Sequence, residues 1–400
     1  MSDETMNWNE YKEGLLDGLE ENSTRRNVTS QVLENYAKKE AKILNEAGEI
    51  STDAMSRYDQ IFMPLMRRVT PELMSMDLVG TQPLNGPTGL VRTMRFRYGR
   101  DVETTSGSGV NEVTDGDEAS AQNIYQKYSL IASGDAYDAV DAMTNHEQTL
   151  NLEGDRGNPM KLDVTNYTVT AGSRKLSAEW TLEYEDDSSR LDGVSIQTEI
   201  SATVAEQIRV DIDREILGEL NNLAGTVSNY DMVNADGRYA GEKFSALTIG
   251  LSELSNQIAV KSRRSGATWM VVTPQVLTAI RNADNNSFVG AGVDVSPSQS
   301  MFVGTFNNTI RVYLDIHAST EYALLGYKGS ETDTGLIYAP YVPIVASDVV
   351  TDTDTFNKVM SLRTRYGMAK FVDVDSNLNN SPDFYARSTI SNLQLGFVSS

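Results

Sequence analysis

The chain has 400 residues, no cysteine, two histidines and a formal charge of -22. Without cysteine there are no disulfides, thiolate nucleophiles, iron–sulfur ligands or Cys-containing zinc sites, and His146 and His317 are too far apart in sequence to suggest a histidine-based metal site. An excess of 56 Asp and Glu over 34 Lys and Arg opposes tight nucleic-acid binding, which needs clustered cations.

With 40% hydrophobic and 22% charged residues the composition is that of a globular protein. At ~150 residues per domain the length allows two or three lobes. The acidic opening, MSDETMNWNEYKEGLLDGLEEN, lacks the basic and apolar regions of a secretory signal. No window approaches the ~18 apolar residues of a membrane span. A soluble, cytoplasmic product is the expectation.

Residues 1 to about 50 mix both charges, and Leu15, Leu16, Leu19, Val28, Val32, Leu33 and Tyr36 recur at helical spacing. Two amphipathic helices are predicted, separated at Asn22-Ser23-Thr24. From Met55 the pattern is again helical but interrupted by Pro64 and Pro71, which suggests short broken helices in an arm. The turn Gln82 to Gly89 leads into alternating Leu90, Val91, Met94, Phe96 and Tyr98, a long strand. Residues 101 to about 163 are glycine-rich and poor in apolar side chains, so they read as an extended excursion that needs outside support. A return strand is predicted in Tyr167 to Val169 and again through Trp180, Leu182 and Tyr184.

Ile196, Ile200, Val204, Ile208, Ile212 and Ile216 are spaced by four and predict a spine helix from 195 to about 221. Spacing by four drifts around a helix of 3.6 residues per turn, so the stripe must meet more than one partner. After a loop from Gly225 to Gly241, a helix is expected over 245–264 with Leu247, Leu251, Leu254 and Ile258 inward. A strand at Thr268 to Val272, a helix opened by Thr273-Pro274, and a hairpin joined by Asn307-Asn308 follow. Strands at Tyr322 to Tyr327 and Leu336 to Tyr338 complete an α+β lobe.

Chemical motifs are sparse. Asp373-Val374-Asp375-Ser376-Asn377 opens like a calcium loop, but Leu378 stands where Gly is needed and Phe384 where Glu is needed, so a solvated turn is the simpler reading. Glu183, Glu185, Asp186 and Asp187, read at a strand end, are paired-carboxylate candidates, yet they lack an apolar pocket to raise a pKa. His317 beside Asp315 reads as an ordinary strand-end histidine. Gly290, Gly292 and Gly304 match no phosphate loop or dinucleotide fingerprint. Arg67, Arg68, Arg92, Arg95, Arg97 and Arg100 form the densest basic region, and intersubunit salt bridges are their favoured use in so acidic a chain.

Several segments, in order from about 65 to 368, carry a resemblance. They include Met66-Arg67-Arg68-Val69-Thr70-Pro71, Asp77-Leu78-Val79-Gly80-Thr81-Gln82-Pro83, Arg174-Lys175-Leu176-Ser177-Ala178-Glu179, Arg311-Val312-Tyr313-Leu314-Asp315, Tyr338-Ala339-Pro340-Tyr341-Val342-Pro343 and Thr364-Arg365-Tyr366-Gly367. In these the chain resembles the major capsid (head) proteins of tailed bacteriophages, in their T-even type.

The resemblance implies the HK97-like α+β fold, divided here as a helical N-terminal segment that is a propeptide (1–46), an N-terminal arm (47–89), an extended loop (90–175), a peripheral domain with the spine helix (176–225), an axial domain (226–337), and a second peripheral part with the C-terminal tail (338–400). The tail from Phe371 has no assigned role. The resemblance also implies maturation cleavage after Leu44-Asn45-Glu46, before Ala47. Its implied partners are further copies of the chain in hexameric and pentameric capsomers, with a vertex protein, decoration proteins, portal, scaffold and prohead protease. Composition, charge and the sparse motifs lead to the expectation of no cofactor, no metal, no membrane and no specific nucleic-acid binding. A noncovalent virion shell assembled in the host cytoplasm is the expected product, with an encapsulin-like compartment or a carboxylate-based hydrolase as alternatives.

Overall fold

The computed structural model describes residues 16, 24–47, 73–99, 102–103, 111–113, 115, 159–191, 196–232, 239–262, 264–283, 287–290, 302–353, 355–371 and 380–393. Helix α1, Thr24–Ala47, starts at the expected turn cluster, and its Val28 and Val32 enter the main core. A one-turn helix α2, Ser75–Leu78, and strand β1, Gly80–Thr81, follow. Strand β2, Thr88–Tyr98, and the short pair β3, Val102–Glu103, and β4, Asn111–Val113, precede β5, Met160–Thr170, and β6, Gly172–Trp180. The return strand thus ends at Trp180, and Leu182–Leu191 is a helix, α3, rather than continued strand. Leu182 and Tyr184 suit either period over so short a run; the helix lets Glu185 turn back onto Trp180, whose Nε1 donates to it at 3.0 Å.

The spine is α4, Ile196–Leu223. Ile208, Ile212 and Ile216 are buried, while Ile200 and Val204 are only partly covered and Ala205, Leu217 and Leu220 take inward positions. The stripe curls as the four-residue spacing requires. Next come β7, Thr226–Asp231, and α5, Ala240–Ser262, whose buried residues include the four aliphatics expected. Lys261 in its last turn reaches the Gly225 carbonyl at 3.2 Å and Thr226 Oγ1 at 2.8 Å, tying α5 to the start of β7. Strand β8, Trp269–Val272, leads to α6, Pro274–Arg281. Thr273 stands at the cap position, but its hydroxyl donates to Glu321 instead of capping.

Strands β9, Phe288–Gly290, β10, Phe302–Phe306, and β11, Ile310–Leu314, follow, with Asn307 and Asn308 at φ of 50° and 58° in the turn between the last two. Left-handed backbone at both central positions of the turn that the Thr309 N–H closes on the Phe306 carbonyl at 3.2 Å is a conformation asparagine tolerates. The chain closes with β12, Tyr322–Gly326, β13, Leu336–Ala346, β14, Val350–Thr351, β15, Lys358–Lys370, a 3₁₀ turn at Ser381–Phe384, and β16, Tyr385–Ser391.

Two sheets organise these elements. In the first, β13 and β6 flank β15 as antiparallel partners, with β1 outside β13 and β14 beside β15. Pro340 and Pro343, which lack an N–H, are accommodated in β13 where its register with β15 shifts. In the second, the order is β7-β16-β12-β8-β11-β10-β9. The tail therefore has a structural role that the sequence did not reveal. Its strand β16 lies between β7 and β12, inside the second sheet rather than with the first.

Alternation divides the first sheet between two cores. Leu336, Tyr338, Met360 and Leu362 face the main core with α4, while Ile337, Ala339 and Ala369 face a smaller cluster with Leu84, Val91, Val169 and Phe371. In the second sheet Gly326 pairs with Trp269 on one side and Tyr385 on the other. A Cβ on Gly326 would lie inside the Trp269 indole. Gly326→Ala is expected to cost about 1–3 kcal/mol through overpacking, read as a lower urea midpoint at unchanged slope.

Candidate subunit interface

The most unusual surface is built by β2 and β5, which pair antiparallel along their whole length from Thr88↔Thr170 to Tyr98↔Met160. Side chains alternate across this ribbon. At its root one face is anchored: Val91 and Val169 are buried against the first sheet, and the Tyr167 and Phe371 rings stand 4.6 Å apart. Gln82 clasps the edge, accepting from the Arg92 N–H at 3.1 Å and donating to the Arg92 carbonyl at 3.0 Å, as a neighbouring strand would.

The opposite face presents Leu90, Phe96, Met160, Leu162 and Val164, four of them more than half exposed. In a single chain Phe96, Met160, Leu162 and Val164 form an apolar patch facing water, with Leu90 beyond Arg92 on the same face, the pattern of an interaction site.

The predicted basic residues distribute unevenly. Arg92 projects from β2 with an exposed side chain, and Arg97 pairs within the chain with Asp163 at 3.0 Å. Arg95 lies in β2, paired in register with Asp163. Arg67, Arg68 and Arg100 lie outside the described residues, as do His146 and the Asp373 segment. Leu44, Glu46 and Ala47 form the end of α1.

The root of the ribbon is locked to the spine by charge. Arg174 of β6 donates from Nε to the Tyr366 hydroxyl at 2.9 Å and pairs with Glu215 and, at 3.5 Å, Asp211. Tyr366 in turn donates to Glu215 at 2.5 Å. Burial and this hydrogen bond push its pKa up to about 12, so it remains a donor. Arg174, Glu215 and Tyr366 line an open cavity of about 450 Å³ between α4 and the first sheet, together with Glu219 and Lys370.

A second lock was missed in the sequence. Asp213 of α4, only 7% exposed, accepts from the backbone N–H groups of Ser75 at 3.2 Å and Met74 at 3.4 Å. Arg209 stands 3.8 Å away. Burial raises the Asp213 pKa to about 6 against these favourable contacts. The only sequence signal was a carboxylate next to the inward-facing Ile212, and the spacing does not tell which neighbour it would meet.

Of the carboxylates considered for catalysis, Glu183 and Asp187 are exposed on α3 and Glu185 has structural partners. Glu185 accepts from Trp180 and from Lys358 at 2.8 Å, and the Lys358 and Trp180 hydrogen bonds hold its pKa below the ordinary value. Asp315 accepts from the Tyr322 hydroxyl at 2.6 Å and from the His317 backbone N–H at 2.9 Å, so it does not orient the imidazole. Among the described residues no group of three or more His, Asp or Glu could hold a metal ion. What the arrangement offers is surface: a rigidly rooted ribbon with one apolar side.

A family model described as major capsid protein Gp23 matches residues 55–390. The major capsid protein of Serratia phage KSP90 is 29% identical over 396 residues, covering 90% of this chain and 88% of its own. That of Enterobacteria phage T4 is 25% identical over 403 residues, covering 81% and 77%. Among solved structures, the capsid of Myoviridae phage XM1 aligns with a TM-score of 0.45 at 11% identity, over 79% of this chain and 91% of that one.

Proposed function

The chain belongs to the Gp23 major capsid protein family, and from that membership we propose how its parts divide the work of building a shell. It is a major capsid protein of a tailed-phage head, and its copies assemble into the multimeric capsid shell of the virion. The observation that carries the mechanism is the ribbon of β2 and β5, anchored at its root and apolar on its free face. Such a face is stabilised by burial at ~25 cal/mol per Å² of apolar area, and among the described residues it stays largely exposed. The ribbon therefore lies across an adjacent copy.

The ribbon and the excursion between its strands act as the extended loop, the first sheet with α4 as the peripheral domain, and the second sheet with α5 and α6 as the axial domain, β16 included. Arg67, Arg68, Arg92, Arg95 and Arg100 serve contacts between subunits, while Arg97 has its partner in the ribbon itself. Assembly takes place in the host cytoplasm with scaffold, portal, vertex protein and prohead protease. The protease removes residues 1–46. Because Leu44, Glu46 and Ala47 sit at the helical end of α1, the cut requires that turn to unwind into the protease cleft.

Electron microscopy of the purified protein is expected to show closed shells or capsomers, and a chain that stays monomeric at every concentration overturns the reading. In shells made with the protease, intact mass places the first residue at Ala47; subunits that keep residues 1–46 remove the cleavage step alone.

A further inference from the structure

One edge of the first sheet is open. β6 pairs with β15 in unbroken register from Gly172↔Tyr366 to Trp180↔Lys358, and among the described residues no strand lies on its other side. The direction of its free main-chain groups follows from the residue before it. The Ala171 N–H points away from β15, to the Pro87 carbonyl at 2.8 Å. By alternation the N–H and C=O groups of Ser173, Lys175, Ser177 and Glu179 point to the same open side. Such a row of donors and acceptors is a template for another strand.

Edges of this kind are commonly blunted by a proline, a bulge or a lysine. β6 has no proline and no register shift, and its one lysine is placed badly for the isolated chain. Lys175 is exposed on the outer face and stands opposite Arg363 of β15. Like charges directly opposite each other are destabilising, and among the described residues neither cation is ion-paired. Glu179, also exposed on that face, is four residues further along, and the Asn357 amide donates to its carboxylate at 2.7 Å.

The stretch GSRKLSAEW, Gly172–Trp180, is complementary to itself. In an antiparallel pair centred on Ser177, Lys175 of each copy faces Glu179 of the other, and Leu176 faces Ala178 on the side of α4. The outward groups of Ser177, Lys175 and Glu179 then fall in hydrogen-bonded pairs, each exchanging both N–H···O bonds. A carboxylate also arrives beside the unpaired Lys175 and Arg363. Other alignments lose this match. Centring the pair on Lys175 or on Glu179 sets like charges opposite, and a parallel in-register pair sets Lys175 on Lys175.

We propose that β6 is a two-fold docking edge, on which β6 of a second copy pairs antiparallel about Ser177 and joins the two first sheets into one. The inference rests on the assembly of copies into a shell and does not use the apolar face of the ribbon. Contacts around a ring are heterologous, whereas this one is isologous, so it joins separate rings.

The test uses the absence of cysteine from the chain, which makes Ser177→Cys a source of a single thiol. Identical residues facing each other in a hydrogen-bonded pair have Cα atoms ~5.5 Å apart, within disulfide reach. Oxidised shells of Ser177→Cys are expected to run as covalent dimers on non-reducing gels. Ser173→Cys, which faces Thr181 of the other copy, is expected to stay monomeric on the same gels. Ser177→Cys shells without dimers, or equal crosslinking of both variants, overturn the pairing and leave shell assembly standing. A wild-type chain that is monomeric at every concentration overturns both. If Ser177→Cys does not assemble, a charge exchange decides. Lys175→Glu removes the repulsion with Arg363, so the monomer's melting temperature is expected to be unchanged or higher, while shell yield falls roughly tenfold or more. Adding Glu179→Lys restores opposite charges across the two-fold axis and is expected to recover the yield. An undiminished yield in the single variant, or no recovery in the double one, overturns the proposed register.

Discussion

Leu90→Glu combined with Leu162→Glu is expected to abolish shell formation while leaving the melting temperature of the monomer almost unchanged. Both side chains are 57% or more exposed, so in the single chain the change falls among surface substitutions, worth about 0.5 kcal/mol or less each. The two new charges do not confront each other, because Leu90 pairs with Thr168 and Leu162 with Phe96. In the shell the same substitutions remove apolar burial worth roughly 1 kcal/mol or more per side chain and bring two carboxylates into a desolvated contact, at a further cost of several kcal/mol. A loss of ~3 kcal/mol weakens each contact more than a hundredfold, and a closed shell repeats the loss at every subunit. Sedimentation velocity with negative-stain microscopy reads assembly, and thermal unfolding reads the monomer. Shells at ordinary yield would falsify the assignment of this face, and a large drop in melting temperature would show that it belongs to the chain's own core.

The second large effect concerns Asp213. Its carboxylate joins the spine helix to the backbone of residues 74 and 75, and it is raised to about 6 chiefly by burial, from an ordinary value of 3.8. The groups facing it are Arg209 and Glu206 on its own helix and Tyr338 on β13, and burial raises the Tyr338 pKa so that this hydroxyl stays neutral. A raised folded-state pKa means that the native state holds the proton more tightly than the unfolded chain does. The stabilisation is complete below 3.8 and is lost as the pH rises through about 6. A shift of this size corresponds to roughly 3 kcal/mol.

Asp213→Asn keeps a carbonyl acceptor for the Ser75 N–H and cannot titrate, so it is expected to remove this component from the stability-versus-pH curve. Asp213→Ala leaves the two backbone donors without their acceptor and, titrating no more than the Asn variant does, is expected to lie about 2 kcal/mol below Asp213→Asn at every pH. Glu185 acts in the opposite sense. Held below its ordinary pKa, it contributes stability above that value and loses it as the pH falls. Urea titrations of the variants between pH 4 and 8 separate the two groups. A wild-type curve that Asp213→Asn reproduces in full would rule out Asp213 as a source of the slope.

Local pattern was legible wherever a short segment specifies its own geometry. The α4 stripe, the inward face of α5, the Thr273-Pro274 helix start and the Asn307-Asn308 hairpin were all predicted within a few residues of their observed bounds. The segments that resemble head proteins also lay in the order that family membership requires. Misreadings fell where the pattern was short or the partner distant. Leu182 and Tyr184 looked like strand and are helix, and β7, β14 and β15 were not distinguished from loops.

The sequence by itself determined the α+β class, the spine helix, the long strand that opens the ribbon, and the family to which the chain belongs. Only the tertiary structure decided that the tail strand enters the middle of the second sheet, that Asp213 meets the backbone of residues 74 and 75, and which side of the ribbon remains open. The reason is that helical spacing and turn chemistry act within a few residues. Strand partners, buried carboxylates and uncovered faces depend on segments such as Ser75 and Asp213, or Thr226 and Ala386, that are brought together from more than a hundred positions apart.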